Sequence, residues 1–119
     1  MVYQRETYRM IVKLFDLWGL NEQQRLALLG FSENNVNVFY DYQLGFPIPD
    51  SLEIAEREAH LLAIHEYLRI LFPEQQKLAC QWMSQQNKSF DGPPIAFVAL
   101  KGLSGLIDIR SYLSNICQY

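Results

Sequence analysis

Apolar residues recur every three to four positions along most of this chain, which is the spacing of amphipathic α-helices. The first such stretch predicts a helix over residues 3–18 with one apolar face formed by Tyr8, Ile11, Leu14, Phe15 and Trp18. Gly19 can end this helix, because glycine readily adopts the left-handed conformation of a helix C-terminus. No stretch alternates strictly between apolar and polar residues as a half-buried strand does, so the pattern predicts an all-α protein.

Two short helices separated by a glycine are predicted next. Asn21 and Gln24 have the spacing of a capping box, which predicts a helix over residues 22–29 that ends at Gly30. Ser32 is the expected N-cap of a third helix over residues 33–42. Its inward residues would be Val36, Phe39 and Tyr40.

The segment around Pro47 and Pro49 marks the main boundary in the chain, because each proline biases the preceding residue to extended geometry. We therefore divide the chain into an N-terminal part, residues 1–46, and a C-terminal part, residues 50–119. The second part opens with the longest predicted helix, residues 51–72, started by Asp50 and Glu53. Its two adjoining apolar stripes indicate burial by the core and by a second subunit: Leu61, Ile64, Leu68 and Leu71, and Leu52, Ala55, Ala59 and Leu62.

Three further helices complete the prediction. They cover residues 74–83, residues 94–101 with Pro94 in the first turn, and a final helix capped by Ser104. The apolar face of the final helix would consist of Leu106, Ile109, Leu113 and Ile116. The expected architecture is a compact bundle of about seven helices, with a helix-turn-helix-like part followed by a C-terminal helical part.

Composition and charge narrow the classes of function. Half of the 119 residues are apolar, which indicates a folded domain. The net charge of −3 argues against binding of nucleic acid through the overall charge of the protein. Cys80 and Cys117 lack the spacing of a zinc site. The chain has no run long enough to span a bilayer and no N-terminal signal peptide, so we expect a soluble cytoplasmic protein without a membrane association.

Candidate catalytic chemistry is sparse. His60 and His65 are five residues apart, which places them on different faces of a helix rather than as paired metal ligands. The charged residues of the long helix are expected to form a solvated face with weak i,i+4 pairs: Glu53, Glu56, Arg57, Glu58, Glu66 and Arg69. Motifs for an activated nucleophile or a phosphate-binding loop do not occur in the sequence. We expect no enzymatic activity, no catalytic residue, no metal and no cofactor.

Residues 21–43 have the form of a helix, a glycine turn and a second helix, which is typical of a helix-turn-helix unit. The exposed side of the second helix would offer amides that can read adenine, but also acidic residues that repel phosphates. The candidates for DNA binding are Arg25, Asn34, Asn35 and Asn37.

The C-terminal third carries a more specific pattern. It contains Trp82-Met83, Asn87, Phe90-x-Gly92-x-Pro94, Gly102, Gly105-Leu106 and Arg110-x-Tyr112-Leu113. This spacing resembles the toxin-binding domain of the Xre/MbcA/ParS antitoxins, and Trp18-Gly19-Leu20 and Leu28-Leu29-Gly30 extend the similarity to nearly the whole chain from about Leu14. The family often has a Pro-Asn pair where this chain has Gln86-Asn87, and basic residues in its helix-turn-helix where this chain has acidic residues and amides.

The resemblance implies a function in a type II toxin–antitoxin system. Such proteins pair with RES-domain toxins, which consume NAD, and the expected function is to bind the toxin directly and cover its active site. The residues expected to bind the toxin are Trp82, Asn87, Gly92, Pro94, Arg110, Tyr112, Leu113 and Tyr119. Removal of all residues after Ser111 is expected to abolish neutralisation and to leave a folded protein.

Two alternatives remain open at this point. The chain could be a helix-turn-helix transcriptional regulator without a toxin partner, or a helical enzyme or small-ligand carrier. A homodimer through the first helix and the long helix is expected for the antitoxin.

Overall fold

The helices begin and end largely where local capping signals place them. The computed structural model describes residues 2–3, 7–49 and 51–118, and in this part of the chain it contains seven α-helices. They are α1 (Thr7–Leu17), α2 (Glu22–Leu29), α3 (Val36–Leu44), α4 (Leu52–Leu71), α5 (Gln76–Gln81), α6 (Pro94–Lys101) and α7 (Leu103–Cys117). The prediction of an all-α bundle of about seven helices is confirmed.

Helix α2 shows how well local sequence fixes a boundary. The Asn21 side chain accepts a hydrogen bond from the backbone N–H of Gln24, and the Gln24 side chain accepts one from the N–H of Asn21, both at 2.9 Å. At the other end Gly30 has φ of 79°, a left-handed conformation that suits glycine. Helix α6 likewise covers the predicted residues, with Pro94 in its first turn.

Other boundaries differ from the prediction. The described part of the first helix begins at Thr7 and not at residue 3, and a 3-10 turn, Glu33–Asn35, precedes α3 without a side-chain cap from Ser32. Helix α7 begins at Leu103, and the Ser104 hydroxyl donates to the Lys101 carbonyl instead of capping the helix. Helix α5 is shorter than predicted and continues as the 3-10 turn Trp82–Ser84.

The start of α4 is capped by Ser51, whose hydroxyl accepts a hydrogen bond from the Ile54 N–H at 3.2 Å. Asp50, predicted to start this helix, lies outside the described residues. The flanking segment forms a short strand that the sequence did not indicate. Strand β2 (Ile48–Pro49) pairs antiparallel with β1 (Val2–Tyr3).

The core is one apolar cluster that contains residues from both predicted parts of the chain. Helices α4 and α7 form the most extensive helix pair in the described part of the chain, and both contribute fully buried residues: Leu61, Ile64, Leu68, Leu106, Ile109 and Leu113. The contacts of His60 with Arg110 and of Tyr67 with Cys117 both join residues 50 positions apart, so the two helices run in the same direction. Ile116, predicted on this apolar face, is 47% exposed, so the fully buried residues of α7 end at Leu113.

The inward face of α3 is not the predicted one. Phe39 is buried and Val36 is half-buried, but Tyr40 is 41% exposed and Tyr42 is buried in its place. Tyr42 donates a hydrogen bond from its hydroxyl to Oε2 of Glu58 at 2.7 Å. A buried carboxylate on α4 therefore helps to decide which face of α3 turns inward.

The expectation of a solvated charged face on α4 is wrong for Arg57 and Glu58, which are both buried. Arg57 donates from Nη1 to the carbonyls of Ala27 and Leu28 at the end of α2, each at 3.1 Å. The Ala27 carbonyl also accepts from the backbone N–H of Gly30 at 3.3 Å, and the buried guanidinium adds a charged donor to both carbonyls at the negative end of the helix dipole. Arg57 thereby joins α4 to α2.

Candidate functional site

Four aromatic side chains meet where the 3-10 turn at Trp82 approaches α6 and α7. We call Trp82, Phe90, Phe97 and Tyr112 the aromatic cluster. The rings of Trp82 and Tyr112 stack at 6.3 Å between centroids, and Phe90 lies 5.1 Å from Tyr112 and from Phe97. All four are half-buried, so the cluster packs against the core and also reaches the surface.

A tight loop presents the aromatic cluster. The backbones of Asn87 and Gly92 exchange two hydrogen bonds, at 3.1 and 3.3 Å, and close the loop around the 3-10 turn Lys88–Phe90. The Asn87 side chain accepts a hydrogen bond from the Ser89 N–H at 2.9 Å. Asp91, with φ of 56°, and Gly92, with φ of 146°, give the backbone the reversal that the loop needs. Asn87 and Gly92 thus place Phe90.

The structure separates the residues predicted to bind a toxin into two groups. Gly92, Pro94 and Leu113 are buried and support the loop, the start of α6 and the core. Trp82, Asn87, Arg110 and Tyr112 are half-buried and reach the surface. Tyr119 lies outside the described residues.

Arg110 belongs to a different surface from the aromatic cluster. It lines a groove of about 390 Å³ between α4 and α7, which we call the α4–α7 groove. The remaining lining residues are mostly polar: His60, Tyr67, Ile107, Ser111, Ser114 and Asn115. Arg110 Nη1 lies 3.1 Å from His60 Nδ1.

The surroundings of His60 favour the neutral ring, and its contact with Arg110 favours one tautomer. Burial, and then the neighbouring Arg110, lower the pKa of His60 from its usual value, which favours the neutral ring. A guanidinium can only donate hydrogen bonds, so His60 Nδ1 accepts and the ring proton is on Nε2. Nε2 is buried and has no hydrogen-bond partner among the described residues. The sequence analysis excluded His60 only as one of a pair of metal ligands and did not identify this contact, because its partner is 50 residues away along the chain.

A second, larger groove lies between α1, α4 and α5. This α1–α4 groove of about 830 Å³ has an apolar floor and a charged rim. Its exposed apolar residues include Met10, Leu17 and Ile70, and Lys13 and Glu66 are among its charged residues. Cys80 is half-buried and lines the same groove.

The structure also separates the candidates for DNA binding into exposed asparagines and an arginine that is hydrogen-bonded within the fold. Asn34, Asn35 and Asn37 are exposed at the start of α3, as predicted. Arg25 is occupied within the fold: its guanidinium donates to Asp16 and to Gln43, each at 2.7 Å, and to the Leu20 carbonyl at 3.0 Å. The one basic residue among these candidates is therefore not available as a free phosphate contact.

The described part of the chain contains no cluster of three or more His, Cys, Asp or Glu side chains that could hold a metal ion. None of its helices combines the length and the apolar character needed to cross a membrane.

Comparison with known proteins identifies a relative in a rhizobium. No family model matches the sequence. The uncharacterized protein y4oB of Sinorhizobium fredii is 30% identical to it over 102 residues, which is 85% of this chain and 76% of that protein. Identity of this extent over most of both sequences shows that the chain belongs to the same family as y4oB.

Proposed function

We propose that this protein is an antitoxin that binds a RES-domain, NAD-consuming toxin and covers its active site. The observation that carries the proposal is the aromatic cluster, which reaches the surface beside α7 in the segment whose motif resembles the toxin-binding domain of the Xre/MbcA/ParS antitoxins. The antitoxin would act in the cytoplasm together with its toxin.

The chemistry of this surface suits contact with a protein. Half-buried aromatic rings that are already packed against one another lose little conformational entropy on binding, and Trp and Tyr are enriched at binding hot spots. Beyond the core, the end of α7 adds the exposed Asn115 and Ile116, and Gln118 comes directly after the helix. We expect the aromatic cluster to anchor the toxin and the end of α7 to approach its NAD pocket. Inhibition would then be steric, with polar groups in the place of substrate.

The direct test is co-expression of the chain with the product of the neighbouring gene, followed by tagged purification and mass analysis. A stable complex with a protein that consumes NAD, and loss of that activity in the complex, is the expected result. Recovery of the chain alone, with no toxic neighbour, would contradict the proposal.

Two exposed apolar residues give a matched pair of variants. Ile116 is 47% exposed at the end of α7, and Leu52 is 91% exposed at the start of α4. Ile116→Glu should weaken toxin binding, because it buries a charge in the proposed interface. Leu52→Glu should leave binding unchanged. Equal affinity of both variants for the toxin would exclude the end of α7 from the interface.

Removal of the chain after Ser111 is unsuitable as a test of neutralisation, because we now expect that truncation to destabilise the fold. That truncation removes Leu113, which is fully buried, and Tyr112, which stacks on Trp82. Truncation after Ser114 keeps both residues and removes only the last turn of α7 and the residues C-terminal to it. It should preserve the fold and abolish neutralisation.

The α1–α4 groove is where we place a homodimer contact. Its exposed apolar residues come from the two helices predicted to form that interface, and its rim carries both Lys13 and Glu66, which can pair across a two-fold axis. Met10→Glu together with Ile70→Glu should convert a dimer to a monomer in sedimentation experiments. A wild-type chain that is monomeric at high concentration would contradict this placement.

DNA binding by α3 and the 3-10 turn before it is the second candidate function, favoured by the exposed Asn34 and Asn35 in the turn and Asn37 in the helix. Three acidic residues nearby oppose it: Glu33, Asp41 and Glu22, whose carboxylate hydrogen-bonds Tyr40 and raises the pKa of that tyrosine. A mobility-shift assay on the upstream DNA at stated salt tests this function. Binding that disappears in the double variant Asn34→Ala and Asn37→Ala would support it.

A further inference from the structure

The α4–α7 groove runs along one continuous face of α7. Four of its polar lining residues are spaced i, i+1, i+4 and i+5 along the helix, which places them on the same side: Arg110, Ser111, Ser114 and Asn115. Tyr67 of α4 adds a further hydroxyl-bearing side chain. No acidic side chain is among the lining residues in the described part of the chain, so the groove offers hydrogen-bond donors around one positive charge.

Arg110 differs from three other arginines in its partner. Arg25, Arg57 and Arg69 each pair with a carboxylate, at 2.7, 3.2 and 3.3 Å. Arg110 contacts the neutral ring of His60, and no ion pair of Arg110 is found among the described residues. Among the described residues no carboxylate lies within ion-pair distance of Arg110, and Glu56, four residues before His60, is the acidic residue whose charge acts on that histidine.

His60 also orients the guanidinium. The contact uses Nη1 of Arg110, which leaves the edge formed by Nε and Nη2 without that partner. That edge is planar, and its two parallel N–H groups match the two oxygens of a carboxylate. An arginine that is already oriented loses less side-chain entropy on binding than a free one.

From these observations we infer that the α4–α7 groove is a carboxylate-binding site, with Arg110 as the binding residue and His60 as its positioning residue. Its occupant is an aspartate or glutamate side chain of the protein partner, and this identification of the occupant rests on the proposed function. A carboxylate suits the groove better than a phosphate, because one arginine provides one charge and one bidentate edge.

The site itself can be tested without a partner. We would titrate the isotope-labelled full chain with sodium acetate at constant ionic strength, with sodium chloride as the matched salt, and follow the backbone N–H signals together with the arginine side-chain N–H signals by NMR. Acetate should cause saturable shifts at Arg110 and Ser111 that chloride does not cause. Arg110→Gln should abolish them, Arg110→Lys should weaken them, and Arg69→Gln should leave them intact. Shifts that are identical in the two salts, or that persist in Arg110→Gln, would overturn the assignment.

Two further measurements separate the alternatives. Tighter binding of inorganic phosphate than of acetate would refute the choice of a carboxylate. His60→Gln should lower the affinity for acetate several-fold at unchanged thermal stability, whereas a purely structural role would change the stability and not the affinity.

The occupant is tested in the complex with the partner. Arg110→Gln should weaken that complex at least about tenfold, as expected for loss of one side of a charged hydrogen-bonded pair, and Arg69→Gln should not. If acetate binds at Arg110 but Arg110→Gln does not weaken the complex, the occupant is not a carboxylate of the partner, and the proposed function is not contradicted. Absence of any complex with the wild-type chain would reject the proposed function and the occupant together.

Discussion

Replacing Arg57 with alanine removes the side chain that joins the end of α2 to α4. In the folded protein its guanidinium donates to the carbonyls of Ala27 and Leu28 and pairs with Glu53 at 3.2 Å. The side chain is buried, and the ideal Cβ position of Gly102 is 3.8 Å from Nη2, so it also approaches the junction of α6 and α7. Arg57→Ala therefore leaves two helix-terminal carbonyls without their charged donor.

The expected cost can be worked out from these contacts. A hydrogen bond to a charged group contributes about 1.5 to 3 kcal/mol, and the two carbonyls each lose one. The pair with Glu53 adds less than about 1 kcal/mol, because that carboxylate's side chain is 56% exposed and screened by water. The contributions of these contacts do not simply add, because all of them involve one side chain. We therefore use the range measured when one partner of a buried charged pair is removed and expect a loss of about 3 to 5 kcal/mol in the free energy of unfolding.

Urea denaturation followed by circular dichroism measures this loss. With a slope of about 2 kcal/mol per molar urea, the midpoint should fall by about 1.5 to 2.5 M. Glu53→Gln is the matched control and should cost less than about 1 kcal/mol. Arg57→Met keeps most of the apolar stem, and a loss close to that of Arg57→Ala would assign the effect to the hydrogen bonds. A loss below about 1 kcal/mol for Arg57→Ala, equal to that of Glu53→Gln, would refute the reasoning.

Gly30 provides an independent check of the same contact. A Cβ at this position would lie 2.7 Å from Arg57 Nε and Cζ, and the φ of 79° is itself unfavourable for alanine. Gly30→Ala should therefore cost more in the wild type than in the Arg57→Ala background, where only the backbone strain of about 1 kcal/mol remains. Strictly additive losses in this double-mutant cycle would mean that the two residues do not touch in solution.

Three further predictions concern other parts of the fold. Gly45→Ala should destabilise the protein by more than Gly19→Ala in thermal unfolding. Both glycines have a left-handed φ, but only at Gly45 would the new Cβ meet a side chain, the hydroxyl of Tyr8 on α1. Equal losses of stability would exclude that contact. Leu113→Ala should cost about 2 to 5 kcal/mol in urea because the side chain is fully buried, whereas Ile116→Ala should cost less than about 1 kcal/mol, and the reverse order would contradict the packing of α7. The folded state lowers the pKa of His60, so the unfolded chain binds more protons below about pH 6.5 and stability should fall as the pH drops below that value; His60→Gln should flatten this fall, and an unchanged slope would show that the ring is not buried as described.

Local signals made much of the fold predictable. The capping box of Asn21 and Gln24, the left-handed Gly30 and the first-turn Pro94 act within a few residues of themselves, so their effect can be read without knowing what packs nearby. The three-to-four-residue spacing of Leu106, Ile109 and Leu113 likewise identified the inward face of α7.

The buried charges of α4 were predictable in part. Arg57 and Glu58 fall on the same spacing as Ile54 and Leu61, so position along the helix pointed inward while residue type pointed to water. The carbonyls at the end of α2 bind Arg57 and the hydroxyl of Tyr42 binds Glu58, and these tertiary contacts help to explain why the two charges can be buried.

The candidate site, too, was predictable from the sequence only in part. Spacing along the chain was enough to group Trp82, Phe90, Gly92 and Tyr112 into one pattern near the C-terminus. Tertiary structure alone decided that the aromatic residues meet as a surface cluster, and that Arg110 faces His60 in a separate groove. The physical reason is distance along the chain: caps and helical faces depend on neighbours within one or two turns, whereas Arg110 and His60 meet only because α4 and α7 pack in the same direction with an offset of 50 residues.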